Sequence, residues 1–561
     1  MLEFKLKKHQ STFKNLNIMK NFHINLIIGI IIVTGTIVLT SCDDNLLNES
    51  PLSSVNPETA LNSQAGFEAY LIGLVRNARE ERTQDDVTFI ITNFPGTDVG
   101  EDAGEEYFTY RDWVSYLTPV TSEVVNNWNW AYEIMIVQAN TIIQYALDPD
   151  LDHIWDDEAQ RNRVVAEARF FRGYTYNFLA NLYGGVPIVE EVHSEPKFDF
   201  ERASRNEVYE FAKNDLEFAA EWLPNTVESG QDGRATRAMA NHLLSEVHIS
   251  LGNYDEAIAR ASELINSGDY RLMTERFGSY VDEPGDVYSD LHRAGNMTRN
   301  SGNMESLYVW QIEHFVEGGG GSRGGNPVIR NIGPFLVRIT APDGYSNVAT
   351  AELGRGVGRV RGTNHSIYGI WNDENDIRNS EHNFRRVFYY NNPQSDYYGE
   401  EITYENFSAE DSLRSLYPYP RKIEGPPWQD NPTSGLINKD IYVYRLAETY
   451  LLRAEAYHRN GNNQSAADDI NEVRLRANAS PINPEDVNLD FILDERAREL
   501  MYEEPRRRTL IRMGKLVDRV QRYGLLDGTR ETIQDYHNLW PIPQEVIDAN
   551  FANELEQNPG Y

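Results

Sequence analysis

Cysteine is almost absent from this chain: Cys42 is the only one among 561 residues. A single cysteine excludes an intramolecular disulfide and a zinc site built from several cysteines. Histidine is also scarce, with 12 residues and no His-x-x-x-His spacing, which excludes the helical zinc motif that uses it. No residue is recognisable as a nucleophile with its base. We therefore expect no metal ion, no cofactor and no catalytic residue.

The chain also lacks an apolar run of the roughly twenty residues that a membrane-spanning helix needs. Its apolar stretch at 26–39 has fourteen residues and follows five lysines, which is typical of a signal peptide. The stretch ends in Leu39-Thr40-Ser41-Cys42, which resembles a bacterial lipobox. We expect residues 1–41 to be a signal peptide, with Met19 as an alternative start. Cys42 is then the lipidation site of a bacterial lipoprotein, and residues 42–55 form a tether. Asp43 and Asp44 after the cysteine are compatible with surface export and with retention at the inner membrane.

Positive charge is under-represented, with 52 Lys and Arg against 86 Asp and Glu and a net charge of −34. Five lysines and one glutamate give residues 1–41 a charge of +4, which leaves −38 for the other 520 residues. Such an acidic body repels phosphate backbones and anionic headgroups, so nucleic acid is excluded as a partner. The acidity is compatible with neutral glycans and disfavours polyanionic ones.

Helical periodicity dominates what is present. Apolar residues recur at helical spacing over about 56–74, 122–147, 158–182 and 205–222, and Ser204 with Glu207 forms a capping box for the last of these. Glycine turns flanked by alanine join further helices over 235–268 and 451–470, which is typical of tetratricopeptide-like hairpins. Generic helical hairpins share part of this pattern. We predict an all-α scaffold with repeat pairs at about 156–270 and 438–520.

Residues 277–438 have a different composition, rich in Gly, Asn, Asp, Tyr and Trp and without long amphipathic stretches. A long insertion of this kind is usually functional. We predict irregular loops and short strands, the best of them at 306–312. The glycine-rich segment 354–358 has no strand-to-helix context for a phosphate loop, and Ser322 matches the letters of a nucleophile elbow only by chance.

Aromatic residues in polar surroundings are the positive functional signal. Sugar rings pack their C–H faces on aromatic planes while Asn, Asp and Arg bond the hydroxyls. The candidates chosen on loop placement are Trp113, Tyr107, Trp371 and Tyr397. Each of these residues could instead belong to the hydrophobic core. The carbohydrate-binding hypothesis therefore depends on the aromatic residues taken together.

Several motifs together resemble the SusD/RagB family of outer-membrane nutrient-binding lipoproteins. They are the lipobox followed by Asp43-Asp44, residues 166–174 leading into 182–187, Asp376-x-Arg378, residues 444–456, residues 495–515, and the terminal segments 539–543 and 557–561. The resemblance covers most of residues 56–561, which we treat as one SusD-like domain. It implies an all-helical fold with four tetratricopeptide-like pairs and a non-catalytic role.

The resemblance also implies a partner, a SusC-like TonB-dependent transporter, and a ligand, an oligosaccharide or a peptide. It assigns no binding residue, because the family's binding aromatics lie in variable loops. Glu495, Glu499 and Glu503 are spaced to share a helix face, and we expect them to form a structural network with Arg507, Arg508 and Arg512. Two other hypotheses remain open: a glycoside hydrolase on a helical scaffold, whose carboxylates cannot be chosen among 86 acids, and a repeat-built assembly scaffold.

Overall fold

The computed structural model describes residues 56–83, 88–104, 109–193, 195–228, 230–321 and 324–561. The chain divides into two compact units, Met1–Ala60, of which residues 56–60 are described and contain one helical turn, and Leu61–Tyr561. No helix in the described ranges is both long and apolar enough to cross a bilayer. The predicted signal peptide, Cys42 and the tether lie outside these ranges.

Helices make up most of the ordered structure, which confirms the predicted all-α class. Those of the first half are α1 (Pro57–Ala60), α2 (Gln64–Thr83), α3 (Thr88–Asn93), α4 (Trp113–Tyr116), α5 (Ser122–Asn129), α6 (Val137–Ala146), α7 (Glu158–Leu182), α8 (Arg205–Trp222), α9 (Arg237–Leu251) and α10 (Tyr254–Ile265). Those that follow are α11 (Val287–Leu291), α12 (Val328–Ile332), α13 (Ala409–Arg414), α14 (Leu446–Arg459), α15 (Asn463–Arg476), α16 (Leu489–Leu500), α17 (Arg506–Arg512), α18 (Leu516–Tyr523), α19 (Asp527–Thr532) and α20 (Gln544–Ala549). A π-helical segment, Trp130–Ile136, joins α5 to α6.

Helix α7 is the central helix of the scaffold, with 19 of its 25 residues buried. Its N-cap is Asp157, whose side chain accepts from the Gln160 N–H, and it ends before Gly184, which adopts φ 78°. Helix α8 packs along it and begins with the capping box of Ser204 and Glu207. The predicted bounds of both helices agree with the structure to the residue.

Two helical hairpins meet although they are far apart in sequence. Helices α9 and α10 are joined through Gly252 and helices α14 and α15 through Gly461, both glycines in the left-handed region. Helix α10 packs on α14 through a small apolar cluster that includes Ala257 and Ala456, both fully buried. Alanine permits this close approach, as the sequence pattern predicts.

The loop-rich region is fastened to the scaffold by short antiparallel strands. The strands are β1 (Gly100–Asp102), β2 (Ser306–Trp310), β3 (Val360–Gly362), β4 (Phe384–Arg385), β5 (Tyr419–Pro420) and β6 (Ile441–Arg445). Strand β2 confirms the predicted strand and pairs with β6, which leads directly into α14. Strand β3 pairs with β1, and β4 pairs with β5 inside the region.

A buried ion-pair network adds a second attachment between the loop region and α16. Arg378 has no exposed side-chain surface and contacts Asp376 at 2.7 Å, Glu495 at 2.8 Å and Glu499 at 3.1 Å. Arg445 of β6 reaches Glu499 at 2.9 Å. Burial alone raises the pKa of Glu495, but Arg378 and two further guanidinium groups hold that pKa well below its usual value.

Glu495, Glu499 and Glu503 belong to this buried network as expected, but the expected arginine partners were wrong. Glu503 also lies beyond the end of α16, so the three glutamates do not share one helix face. Arg508 pairs with Glu81 at 2.8 Å and Arg512 pairs with Glu455 at 2.7 Å. Arg507 donates to the Thr92 carbonyl and lies 3.8 Å from the ring centroid of Tyr110. Each acceptor comes from a distant part of the chain, so helix-face spacing alone could not identify it.

Candidate functional site

In the part of the chain that the structure describes, exposed tyrosines are confined to the loop-rich region. Among the described residues, the tyrosines with 40% or more of their surface exposed are Tyr345, Tyr368, Tyr389, Tyr398 and Tyr404. Elsewhere in the described residues the tyrosine rings are buried or half-buried, and no described tryptophan is exposed. Five exposed aromatic rings are therefore available to a ligand within the segment 345–404.

Tyr389 lies on an antiparallel ribbon formed by residues 387–390 and 399–402, and Tyr398 stands in the connecting turn. Tyr389 faces Glu401 across the ribbon, and the Tyr390 N–H donates to the Glu400 carbonyl at 3.0 Å. Tyr389 is 51% exposed while its neighbour Phe388 is buried, because successive side chains point to opposite faces.

Three asparagines hold the neighbouring turn, 341–348, against the ribbon. Asn391 accepts from the Val348 N–H at 2.8 Å and donates to its carbonyl at 2.9 Å. Asn347 and Asn392 add bonds in the same strip. Tyr345 is thereby presented beside the ribbon, on a fixed backbone.

Tyr368 is held outward by a π-helical turn, His365–Gly369, that is anchored from its inner side. The Ser366 hydroxyl donates to the Val99 carbonyl at 2.9 Å. The His365 Nε2 lies 2.9 Å from Asp494, and its ring stacks on Tyr523 at 3.7 Å. Since the inner residues are fixed, Tyr368 is left 50% exposed on the outer face.

Two arginines accompany Tyr368 and Tyr404. The Arg386 guanidinium lies 5.7 Å from the ring centroid of Tyr368 and 4.3 Å from that of Phe384. Burial lowers the pKa of Arg386 and the pKa of Arg361, and the phenols of Tyr368 and Tyr404 oppose both shifts. Each guanidinium is therefore within electrostatic reach of both hydroxyls.

The structure corrects the expectation that Trp113 is a loop residue open to a ligand. Trp113 is fully buried, and its ring lies 4.5 Å from that of Tyr110 and 5.2 Å from that of His537. Its backbone N–H donates to the Thr532 hydroxyl at 2.9 Å. The residue therefore packs the core instead of presenting a ring to solvent.

Of the other three chosen aromatics, Trp371 and Tyr397 are half-buried, and Tyr107 lies outside the described residues. Trp371 is half-buried, donates from Nε1 to the Ser366 carbonyl at 2.9 Å and packs 5.6 Å from Phe384, which lies under Arg386. Tyr397 is half-buried against Tyr390 at 6.2 Å. Tyr107, Cys42 and Ser322 lie outside the described residues.

Sequence reasoning missed Tyr345, Tyr368 and Tyr404. The signal that could have found them is their setting: each stands within four residues of an asparagine or a glycine and outside any amphipathic helix. That signal is shared by many tyrosines of this region, and only the structure separates exposed rings from buried ones.

A cleft with a volume of 380 Å³ lies beside the loop region. It is lined by Tyr280, Arg293, Glu352, Arg421, Lys422 and Pro427, among others. Arg421 pairs with Glu424 at 2.9 Å, and Lys422 pairs with Glu503. Since these charges are neutralised inside the protein and no exposed ring lines the cleft, the tyrosine surface is the better candidate. No group of three described His, Cys, Asp or Glu side chains is arranged to hold a metal ion.

Comparison with known proteins gives matches along most of the chain. The sequence model of the SusD family matches residues 363–561, and a second model, described as "Starch-binding associating with outer membrane", matches residues 45–249. The SusD-like protein P25 of Formosa agariphila is 24% identical over 91% of this chain and 94% of its own length. The starch-binding protein SusD of Bacteroides thetaiotaomicron is 26% identical over 72% of this chain and 74% of its own.

Solved structures share the fold at low sequence identity. A laminarin-binding SusD-like protein superposes with a TM-score of 0.65 at 21% identity, covering 89% of this chain and all of that one. The surface glycan-binding protein A of Bacteroides thetaiotaomicron, in complex with laminarihexaose, gives a TM-score of 0.65 at 20% identity over 88% of this chain and 99% of that one. With family models matching at both ends and the same fold between them, the chain belongs to the SusD/RagB family.

Proposed function

We propose that this protein is a lipid-anchored outer-membrane protein that captures oligosaccharides at the cell surface and delivers them to a SusC-like TonB-dependent transporter. The observation that carries the glycan-binding part is the set of five exposed tyrosines within residues 345–404. Exposed aromatic faces flanked by amide and guanidinium donors suit the alternating apolar and polar surfaces of a sugar. The protein binds its ligand and does not act on it chemically.

Relatives support a glycan over a peptide. One curated relative is named a starch-binding protein, and two of the structural neighbours are described as laminarin-binding or as bound to laminarihexaose. In our proposal each stacked ring contributes modestly, and several rings together hold an oligosaccharide that remains exchangeable. Movement of the protein relative to its transporter then exposes the ligand to the transport path.

Native gels containing laminarin or amylopectin test the binding surface. Retardation of the wild-type protein is expected, with about tenfold weaker binding for Tyr368→Ala, Tyr404→Ala and Tyr389→Ala, which corresponds to roughly 1.4 kcal/mol each. Phe551→Ala is the matched control, because Phe551 is a 75% exposed ring outside the tyrosine surface. Equal retardation of wild type and all three tyrosine variants would assign binding to another surface.

The same incubations distinguish binding from hydrolysis. A glycoside hydrolase would release reducing ends from laminarin or amylopectin over hours, whereas a capture protein leaves their number constant. Release that persists after repurification would contradict the non-enzymatic part of the proposal.

Anchoring and partnership are tested in cells. Incorporation of labelled palmitate and recovery in outer-membrane vesicles are expected for the wild-type chain, and Cys42→Ala should abolish both. Detergent extraction followed by affinity capture of the wild type should recover a large β-barrel transporter. Capture that yields no such barrel would remove the transporter from the proposal and leave glycan binding standing.

A further inference from the structure

We infer that the surface around Tyr368 and Tyr404 takes an anionic sugar, with Arg361 and Arg386 receiving its carboxylate or sulfate ester. This inference rests on the proposed glycan-binding function and specifies the chemical class of the ligand. The two sources of negative charge, a uronic acid and a sulfated sugar, present the same chemistry to a guanidinium.

One nitrogen of the Arg386 guanidinium, Nη1, has no hydrogen-bond partner among the described residues. Its Nε and Nη2 donate to the Asn379 side chain, and Nη2 also donates to the Ile367 carbonyl at 2.9 Å. Nη1 has no partner among the described residues, and the side chain forms no ion pair with any described carboxylate. The guanidinium is thus fixed in place by Asn379 and Phe384 while one edge remains available.

Arg361 is a second cation without a carboxylate. It is 8% exposed, and its Nη1 donates to the Gly362 carbonyl at 3.0 Å. Both Nη1 and Nη2 donate to the exposed Asn364 side chain at 3.3 Å, and Nε is buried with no partner. The residue opposite it across the β1–β3 pair is Glu101, which could have neutralised it. The Glu101 carboxylate instead accepts from the Leu525 N–H and from the Thr529 hydroxyl, both at 3.0 Å.

These two residues contrast with the buried arginines of the ion-pair network. Arg82 and Arg507 are also buried without a carboxylate among the described residues, and they donate to the main-chain carbonyls of Glu503, Thr92 and Pro95. Arg378 and Arg445 have no exposed side-chain surface and each contacts at least two carboxylates within 3.1 Å. In a body of charge −38, carboxylates are abundant, yet none is paired with Arg361 or Arg386 among the described residues. Desolvating a guanidinium without a counter-ion is unfavourable, and an arriving anion would remove that cost.

In this arrangement the tyrosine rings contact the sugar ring and the arginines contact its anionic group. Tyr368 and Tyr404 offer faces for the sugar ring, and the two guanidinium groups lie within electrostatic reach of both phenols. The overall acidity repels polyanions at long range, and that repulsion is screened beyond about 8 Å at physiological ionic strength. A short anionic oligosaccharide can therefore be held locally by a protein whose net charge disfavours it.

Matched polysaccharide pairs in native gels test the inference, with the anchored segment removed and the rest of the chain intact. The carboxylate arm uses polygalacturonate and its fully methyl-esterified form, and the sulfate arm uses a sulfated galactan and its desulfated product. The charged member of at least one pair should bind at least tenfold more tightly than its neutral counterpart. That preference should weaken between 50 and 300 mM NaCl.

Arginine variants locate the effect. Arg361→Gln and Arg386→Gln should each reduce binding of the charged member about tenfold. Binding of neutral laminarin should weaken less, so the ratio of charged to neutral affinity falls in both variants. Arg361→Lys, which keeps the charge, should retain part of the preference. Arg163→Gln, an exposed arginine on α7, is the matched control and should bind as wild type.

The outcomes separate this inference from the function on which it rests. Binding of laminarin with no preference for either charged polysaccharide overturns the inference alone, as does a preference that survives both glutamine substitutions. Failure of the wild type to bind any of these polysaccharides, charged or neutral, overturns the glycan-binding function as well.

Discussion

Glu101 is a single residue whose burial should make stability depend on pH. It is fully buried, and burial raises its pKa to about 7, while bonds from Thr529 and three backbone N–H groups oppose that shift. A raised carboxyl pKa means that the folded state binds more protons than the unfolded state between about pH 4.5 and 7. The free energy of unfolding should therefore fall as pH rises through that window.

Glu101→Gln should remove this dependence, because glutamine cannot ionise. Urea unfolding at pH 5 and pH 8 should show that the variant gains roughly 2 to 3 kcal/mol relative to wild type between the two values. Other buried acids such as Asp102 titrate in both proteins and cancel in the difference. Parallel profiles for the two proteins would mean that Glu101 ionises normally.

Arg378 allows a test of the buried network. Arg378→Met leaves Asp376, Glu495 and Glu499 without one of their cations and should cost about 3 to 5 kcal/mol of unfolding free energy. Arg161→Met is the matched control, because Arg161 pairs with Asp152 and Glu158, which are 59% and 72% exposed. The control should lose less than about 1 kcal/mol. Equal losses in urea unfolding would argue against the network as an anchor.

For single residues, the sequence could not distinguish aromatic rings on the surface from aromatic rings in the core. Trp113 and Tyr368 both occur in polar, loop-like sequence, yet one is fully buried and the other is 50% exposed. The burial of Trp113 is set by Thr532 and His537, more than 400 positions away. Local composition carries no information on such contacts, so of the four chosen aromatics none is an exposed ring in the described structure.

At the scale of elements, the close contact of α7 and α8 depends on Gly173. A Cβ at this position would lie 2.9 Å from the Leu216 Cγ and 3.0 Å from the Ala212 carbonyl oxygen. Gly173→Ala should therefore destabilise the protein by about 1 to 3 kcal/mol, although alanine is the better helix former. Calorimetric melting or urea unfolding measures the difference.

Gly73→Ala on α2 is the control for that substitution. A Cβ there would meet only the Gln138 Nε2, at the far end of a side chain, at 3.0 Å, and no backbone atom. This variant should be neutral or more stable by up to about 1 kcal/mol. Stabilisation by both substitutions would show that helix propensity outweighs packing at Gly173.

Elements were predictable where their signals are local. The capping box of Ser204 marks the start of α8, and Gly184, in the left-handed region, follows the end of α7. Both signals act within one helical turn. The two-residue and three-residue strands β1, β3, β4 and β5 are too short for any periodicity to be read. Their pairing is fixed by long-range register, which a single sequence does not display.

At the scale of the whole molecule, the net negative charge does not identify the ligand. A charge of −38 disfavours binding to nucleic acid, yet Arg361 and Arg386 in the loop region have no described carboxylate partner. Net charge averages over the surface, whereas recognition depends on the few groups within a Debye length of the ligand. The composition alone therefore predicted neutral glycans as ligands, whereas the structure motivates a test with anionic glycans.

The same acidity should make global stability increase with salt. Repulsion among exposed carboxylates acts through solvent and is screened by ions, whereas buried pairs such as Arg378 with Glu495 are screened much less. For residues 42–561 at pH 8, raising NaCl from 10 to 300 mM should increase Tm by roughly 1 to 3 °C. At pH 5.5, closer to the sequence pI of 4.8, the increase should be smaller because fewer carboxylates are ionised.

Choline chloride at equal ionic strength should reproduce the effect if screening is its cause. A decrease of Tm with either salt would mean that attraction between exposed ion pairs exceeds the repulsion of the net charge.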